Sequence, residues 1–283
     1  MRLIAVFFTF FLIALSSYAD VKCDGKSVIK RNGLIMYENG EVASGQCTAS
    51  KSNGEYTEFE LQNGMIEGWF RIYNSDKTRL YEAQFINNSP NGKIASFYNN
   101  GTLKLEGNYA HGKVDGYTKA YYPNGKTEYE VMYKNNREIG LATKYYDNGN
   151  IEYELNFDDG IVNGMRREYY RDGSFMSEVM FVDGLADGKR KIYFPDGALG
   201  HDVFYIKGKV EGVVKSYFNN GQQAFEIIYN NSEPVSGLCF DKTRKVRLTT
   251  EELKDWQNVK CWDSEMVTFE LRHEMPLVRL EFK

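Results

Sequence analysis

Seven acidic residues stand 24 positions apart in this chain: Glu82, Glu106, Glu130, Glu154, Glu178, Asp202 and Glu226. Two carboxylates flanking a sugar linkage are the machinery of glycoside hydrolysis, so such a set is the first place to look for catalysis. Here the acids recur uniformly, and bases stand opposite them in the register derived below, which is a structural pattern. No unit adds a unique nucleophile, base and orienting group, and His273 and Asp263 stand alone in the non-repeating C-terminal part. His111, His201 and His273 are scattered, and the cysteines contain no Cys-x-x-Cys pair, so the spacing of a metal site is missing. The expectation is a non-enzymatic chain with no metal or cofactor.

A second column has the same period: Tyr73, Phe97, Tyr121, Tyr145, Tyr169, Tyr193 and Tyr217. Aromatic rings beside acids and bases could grip an extended protein partner. They could also stack on sugar rings, or stack on one another and stiffen a sheet. The column is the candidate partner-binding site.

Glycines set the period. Gly68, Gly92, Gly116, Gly140, Gly164, Gly188 and Gly212 are each 24 residues from the next. A fixed period of this size marks a repeat architecture, in which each unit buries its face against its neighbours. Counting each of these glycines as offset 0, offset 9 is Gly in six units, preceded by Asn or Asp; the first unit has Lys77 instead. Asn-Gly between aromatic-rich runs predicts a β-hairpin with a type I′ turn. A two-residue turn pairs offsets that sum to 17, so offset 6 faces 11 and offset 3 faces 14. Offset 14 is the acidic column, and offset 3 is basic in five of seven units. Opposite charges therefore face each other across every such hairpin.

Strand alternation then assigns the faces. Offsets 6, 11, 13, 15 and 17 form the buried face, with Phe or Tyr at 17 throughout. The charge ladder and the aromatic column share the other. A second turn near offset 20 closes each unit. Seven units predict a sheet on the order of 70 Å long, coiled by strand twist into a ribbon with a concave side. Arg166, Arg167, Lys189, Arg190 and Lys191 make one local basic patch, read as a solvated face.

The ends differ from the middle. Gly45, Gly54, Gly64 and Gly68 keep the pattern with one residue missing, and Gly33 to Gly40 suggest a weaker hairpin. Thr249-Thr250-Glu251-Glu252 reads as a capping box opening a helix to about Asn258. Val267–Leu271 and Leu277–Phe282 alternate like strands. Cys23, Cys47, Cys239 and Cys261 flank the array, and their even number in an exported chain reads as disulfides. Three pairings are open, of which Cys23–Cys47 with Cys239–Cys261 is the local choice.

Arg2, the uncharged stretch Leu3 to Leu15 and Ser17-Tyr18-Ala19 read as a secretory signal peptide cleaved after Ala19. The stretch is short of the roughly 20 apolar residues that span a bilayer, and no later segment is apolar enough to be an integral membrane span. The organisation expected is a signal peptide at 1–19, an N-terminal cap with degenerate repeats at 20–67, seven regular repeats at 68–237 and a C-terminal cap at 238–283. The product is an exported protein, periplasmic or secreted. The net charge of −4, or −5 without Arg2, argues against nucleic acid and against an anionic membrane surface.

The run Leu105-Glu-Gly-Asn-Tyr-Ala-His-Gly-Lys-Val-Asp-Gly116 resembles a MORN repeat. Glu106 stands at its acidic position, Tyr109 at its Trp/Tyr position, and Gly112 and Gly116 at its paired glycines. Most units lack the Gly after the acid and are one residue longer than the usual repeat, like the variant MORN repeats common in bacteria. The resemblance covers about residues 40–237. It implies an all-β fold, an elongated single-layer array of antiparallel hairpins, to which the C-terminal residues read above add a small α+β cap. It also implies a scaffold role, through dimerisation or membrane-lipid contact in some members, and many bacterial relatives carry the label toxin–antitoxin system antitoxin.

Together these readings predict a secreted or periplasmic scaffold that binds another protein through an extended β surface. The alternatives are a glycan- or cell-wall-binding repeat protein and an immunity protein against an envelope toxin. Exposed sheet edges leave a homodimer open.

Overall fold

The computed structural model describes residues 20–240, 245–255 and 259. Cys261, the alternating segments near 267–271 and 277–282, and the leader at 1–19 lie outside them. The described chain is antiparallel β-sheet with one short helix, and it divides between Glu138 and Ile139 into two compact units.

In the first unit, the strands Gly45–Ser50, Tyr56–Gln62, Met65–Tyr73, Arg79–Ile86, Ser89–Phe97 and Leu103–Ala110 each pair antiparallel with the next. Gly116–Tyr121 then pairs with Leu103–Ala110 on one side and Thr127–Lys134 on the other. Asp20–Cys23 covers the opposite edge, beside Gly45–Ser50. Cys23 lies directly across from Cys47 there, and the two form a disulfide with Cα atoms 4.1 Å apart. The weak N-terminal hairpin comprises Lys26–Arg31 and Leu34–Tyr37. It turns at Asn32-Gly33, earlier than the Gly33–Gly40 reading placed it.

The second unit repeats the same meander. The strand Arg137–Tyr145 pairs from Gly140 onward with Ile151–Asp158, and the order continues through Gly164–Tyr169, Phe175–Val182, Leu185–Tyr193, Leu199–Ile206, Gly212–Tyr217, Gln223–Asn230 and Glu233–Phe240. A further strand, Lys245–Arg247, pairs with Glu233–Phe240. The helix Thr250–Lys254 has the expected capping box: Thr249 Oγ1 accepts from Glu252 N–H, and the Glu252 carboxylate accepts from Thr249 N–H. The helix is shorter than expected, with Asp255 as its C-cap.

The hairpin register is as derived away from the turn, where Gly116 pairs with Tyr133 and Lys119 with Glu130, but offset 11 faces offset 5 and not offset 6. The turn type is not as derived. Gly125 N–H donates to the Tyr122 carbonyl at 2.9 Å and Tyr122 N–H donates to the Lys126 carbonyl at 2.8 Å. Gly125 has φ +81°, whereas Asn124 keeps a negative φ. This is a type I turn followed by a left-handed glycine, not a type I′ turn. Such a turn pairs offset 6 with 10 and offset 5 with 11, which would slip the register by one. A β-bulge between offsets 11 and 13 absorbs the slip, so that Tyr121 pairs with Thr127 but Ala120 with Tyr129. The type I′ turn belongs instead to the second hairpin. Its two central residues both have positive φ, as at His111-Gly112 (50° and 76°). The degenerate unit from Gly45 has no bulge, so its one missing residue is the bulge residue.

The bulge also corrects the face assignment. Offsets 13, 15 and 17 are inward as expected: Tyr129, Val131 and Tyr133 are buried, as are Phe225, Ile227 and Tyr229. Offset 11 lies on the outer face, where Arg79 and Phe175 are exposed. The inner face also takes offset 2 and the Val or Ala two residues before the unit glycine, seen as buried Val114, Val162, Ala186 and Val210. Offset 6 staples the repeats together. Tyr98 Oη donates to the Tyr121 carbonyl at 2.7 Å, and Tyr146 Oη to the Tyr169 carbonyl at 2.9 Å.

Candidate functional site: the outer sheet faces

The acidic ladder forms as an alternating row in each unit. In the first, Glu58, Arg71, Glu82, Ala95, Glu106, Lys119 and Glu130 are successive cross-strand neighbours. In the second, Thr143, Glu154, Arg167, Glu178, Lys191, Asp202, Lys215 and Glu226 follow one another. Ion pairs close at Arg71–Glu82 (3.5 Å), Lys119–Glu130 (2.9 Å) and Arg167–Glu178 (3.2 Å). Its hydrogen bond to Glu130, and then the charge of that carboxylate, raise the Lys119 pKa. Asp202 instead takes Lys189 at 3.0 Å. Pairs this exposed are worth about 0.2–1 kcal/mol each.

The aromatic column runs beside the ladder, and all seven of its members are half-buried. Tyr121 Oη donates to Glu106 at 2.5 Å and Tyr169 Oη to Glu154 at 3.2 Å, each reaching the acid of the preceding repeat. Burial, and then the Glu106 carboxylate, push the Tyr121 phenol up to about 12. Phe175 fills the space between Tyr169 and Tyr193, with ring centroids 5.9 and 5.8 Å away. These contacts engage the hydroxyls of Tyr121 and Tyr169 and the rings of Tyr169 and Tyr193 within their units.

Offsets 1 and 16, opposite each other across each hairpin, carry several apolar side chains that the sequence reading did not single out, interleaved with polar ones such as Asn156 opposite Leu141 and Lys189 opposite Phe204. In the second unit Leu141, Met180, Phe204, Val213 and Ile228 are all exposed, Leu141 at 52%. In the first, Tyr117 is 65% exposed. The signal was present in the sequence as apolar residues two before or after the charged ladder, the parity that belongs to the outer face.

The basic patch divides between two faces. Arg167 and Lys189 are exposed on the outer face, whereas Arg166 and Arg190, at offset 2, are 4% and 6% exposed on the inner one. There Arg166 Nη2 lies 2.7 Å from Glu168 Oε1, Arg190 pairs with Glu168 Oε2, and Ser177 Oγ donates to the same oxygen at 2.7 Å. Alternation explains the split, because adjacent residues of a strand point oppositely. His201 is also buried on that face, with Nδ1 2.8 Å from Ser216 Oγ, and His111 sits in a type I′ turn. Cys239 is fully buried and disulfide-bonded.

No helix among the described residues is long and apolar enough to cross a membrane. No curated protein matches the chain. A solved structure described as "Crystal Structure of TcdB2-TccC3" is similar at 12% identity. That match covers 74% of this chain and 14% of the other, with a TM-score of 0.19. The family model for the MORN repeat variant matches residues 90–111, 114–135, 138–159 and 210–231. In these four segments the chain carries variant MORN repeats.

Proposed function

We propose that the protein is an exported, non-enzymatic scaffold that holds another protein against its outer sheet face. The observation that carries this reading is the exposed apolar row of the second unit, Leu141, Met180, Phe204, Val213 and Ile228, beside a ladder of alternating charge. Exposed apolar residues grouped on one face mark interaction surfaces. The flanking charges would orient a partner more than bind it. The non-enzymatic reading rests on the regularity of the acids, which are tied to cross-strand bases and to tyrosine hydroxyls.

The test compares two variants of the chain from Asp20, each shown by circular dichroism to fold. One carries Leu141, Met180, Phe204 and Val213 changed to Ser. The other carries Tyr121, Tyr145, Tyr169 and Tyr193 changed to Ser. Partners are cross-linked in envelope extract, purified and titrated back by calorimetry. A partner that binds wild type and the tyrosine variant but not the apolar-row variant supports the reading. Equal binding by the apolar-row variant refutes it. Fractionation of cells expressing the full chain tests export.

A further inference from the structure

The charge ladder of the first unit has a gap at Ala95. At this offset five units carry Arg or Lys, namely Arg71, Lys119, Arg167, Lys191 and Lys215. Ala95 keeps the register, directly between Glu82 and Glu106 on its two neighbouring strands, but its side chain stops at Cβ. The space left is an open cleft of about 360 Å³ on the outer face, within the size range of small-ligand sites. Trp69 and Tyr117 wall it, and Glu82, Glu106, Lys93 and Lys119 supply its charged groups.

Two acids and two bases balance, and most are already engaged. Glu82 is held by Arg79 at 2.8 Å and Arg71 at 3.5 Å, Lys119 by Glu130 at 2.9 Å, and Glu106 accepts the Tyr121 hydroxyl. A strongly charged ligand of either sign would meet a like charge. A neutral ring with an apolar face and a rim of hydroxyls would not. Its C–H face suits the electron-rich faces of Tyr117 and of Trp69, one face of which the Arg71 guanidinium already covers at 5.2 Å, and its hydroxyls find donors and acceptors interleaved around the cleft. We infer that this cleft binds a neutral glycan, its chain of sugar rings crossing Ala95 from Trp69 to Tyr117, which stand four strands apart, about 19 Å.

The site differs from the apolar row assigned to a protein partner, so the two readings can fail separately. The decisive variant is Ala95→Arg, which restores the residue type other repeats tolerate and fills the cleft without disturbing the fold. Calorimetric titration of the chain from Asp20 with cellotetraose and with the β-1,4-linked tetramer of N-acetylglucosamine should show binding of at least one. Trp69→Ala should weaken it about tenfold, equivalent to ~1.4 kcal/mol. Ala95→Arg should abolish it at unchanged melting temperature, with capture of a protein partner intact. Three results overturn the assignment: no binding of either sugar at millimolar concentration; undiminished binding by Ala95→Arg; or binding of hexa-arginine alone, lost in Ala95→Arg, which would make the cleft a cation slot.

Discussion

Arg190 and Glu168 meet on the inner face of the second unit, 22 residues apart in sequence, with the guanidinium donating to the carboxylate and to Ser177 Oγ. Arg166 binds the other oxygen of the same carboxylate and lies over the Tyr153 ring, 5.0 Å from its centroid. One acid thus serves two buried bases. Arg166 Nε and Nη1 find no hydrogen-bond acceptor among the described residues, and the cluster sets two guanidinium groups against one carboxylate.

Removing the shared acid should therefore be the most damaging single change in this unit. Glu168→Ala leaves two buried guanidinium groups without a counter-charge and is expected to cost about 3–5 kcal/mol. Arg166→Met removes the excess charge and its two unmatched donors, and should change stability by less than about 1 kcal/mol. Urea midpoints at constant slope decide it. If Arg166→Met is as damaging as Glu168→Ala, the carboxylate is not the keystone.

The same carboxylate should make stability fall in acid. Burial pushes the Glu168 pKa up, but Arg190, Arg166 and the Ser177 hydroxyl outweigh it, and the net direction is down. A folded pKa below the unfolded one, near 4.3 for Glu, contributes stability above the unfolded value. That contribution is lost as pH falls through the folded one. Wild type should exceed Glu168→Gln in stability at neutral pH, and the difference should shrink below about pH 4. A difference that stays constant down to the acid transition would remove Glu168 from the account.

How much of this was legible beforehand depended on which features leave a residue signature. The ladder was legible because charge is unambiguous and a hairpin's period is fixed; Lys119 opposite Glu130 follows from counting. The turn was misread because Asn-Gly serves two turn types. Here the Asn124 side chain accepts the Lys126 N–H at 3.0 Å, which favours Asn without needing a positive φ. The compensating bulge leaves no signature, since its position is occupied by residues as different as Lys104, Glu128 and Gly200. Missing it put offset 11 on the wrong face. The buried arginines were misread for another reason: five bases close in sequence look like one patch until strand parity separates them. The Ala95 gap was visible as an exception within the basic column, but its meaning needed the two flanking acids and the aromatic walls in space.

Lys77 offers a test of the corrected turn. It occupies the left-handed position that glycine fills in the other six regular units, at φ +70°. A left-handed conformation costs a residue with a Cβ about 1–2 kcal/mol, partly offset by the greater unfolded-state freedom of glycine. Lys77→Gly should raise stability by up to about 1 kcal/mol. Asp76→Gly should lower it, because Asp76 Oδ1 accepts from Thr78 N–H at 2.8 Å. A melting temperature that drops in Lys77→Gly would contradict the turn assignment.

The Cys23–Cys47 bridge should matter most at the edge it closes. It joins Asp20–Cys23 to Gly45–Ser50 across a sequence separation of 24, and both sulfurs are buried beside Phe59 and Leu61 in the core of the first unit. Closing a loop of this length is worth roughly 3 kcal/mol in the chain-entropy model. Among the described residues, the strand Asp20–Cys23 pairs with Gly45–Ser50 and with the short hairpin strand Lys26–Arg31. Reduction, or the double change Cys23→Ala and Cys47→Ala, should expose the amides of Asp20–Cys23 and Gly45–Ser50 to rapid hydrogen exchange. Strands from Ser89 onward should stay protected, since repeats contact their nearest neighbours and lose order from the end inward. Uniform loss of protection across the first unit would instead mean that the edge is coupled to the whole unit and that the bridge acts on its global stability.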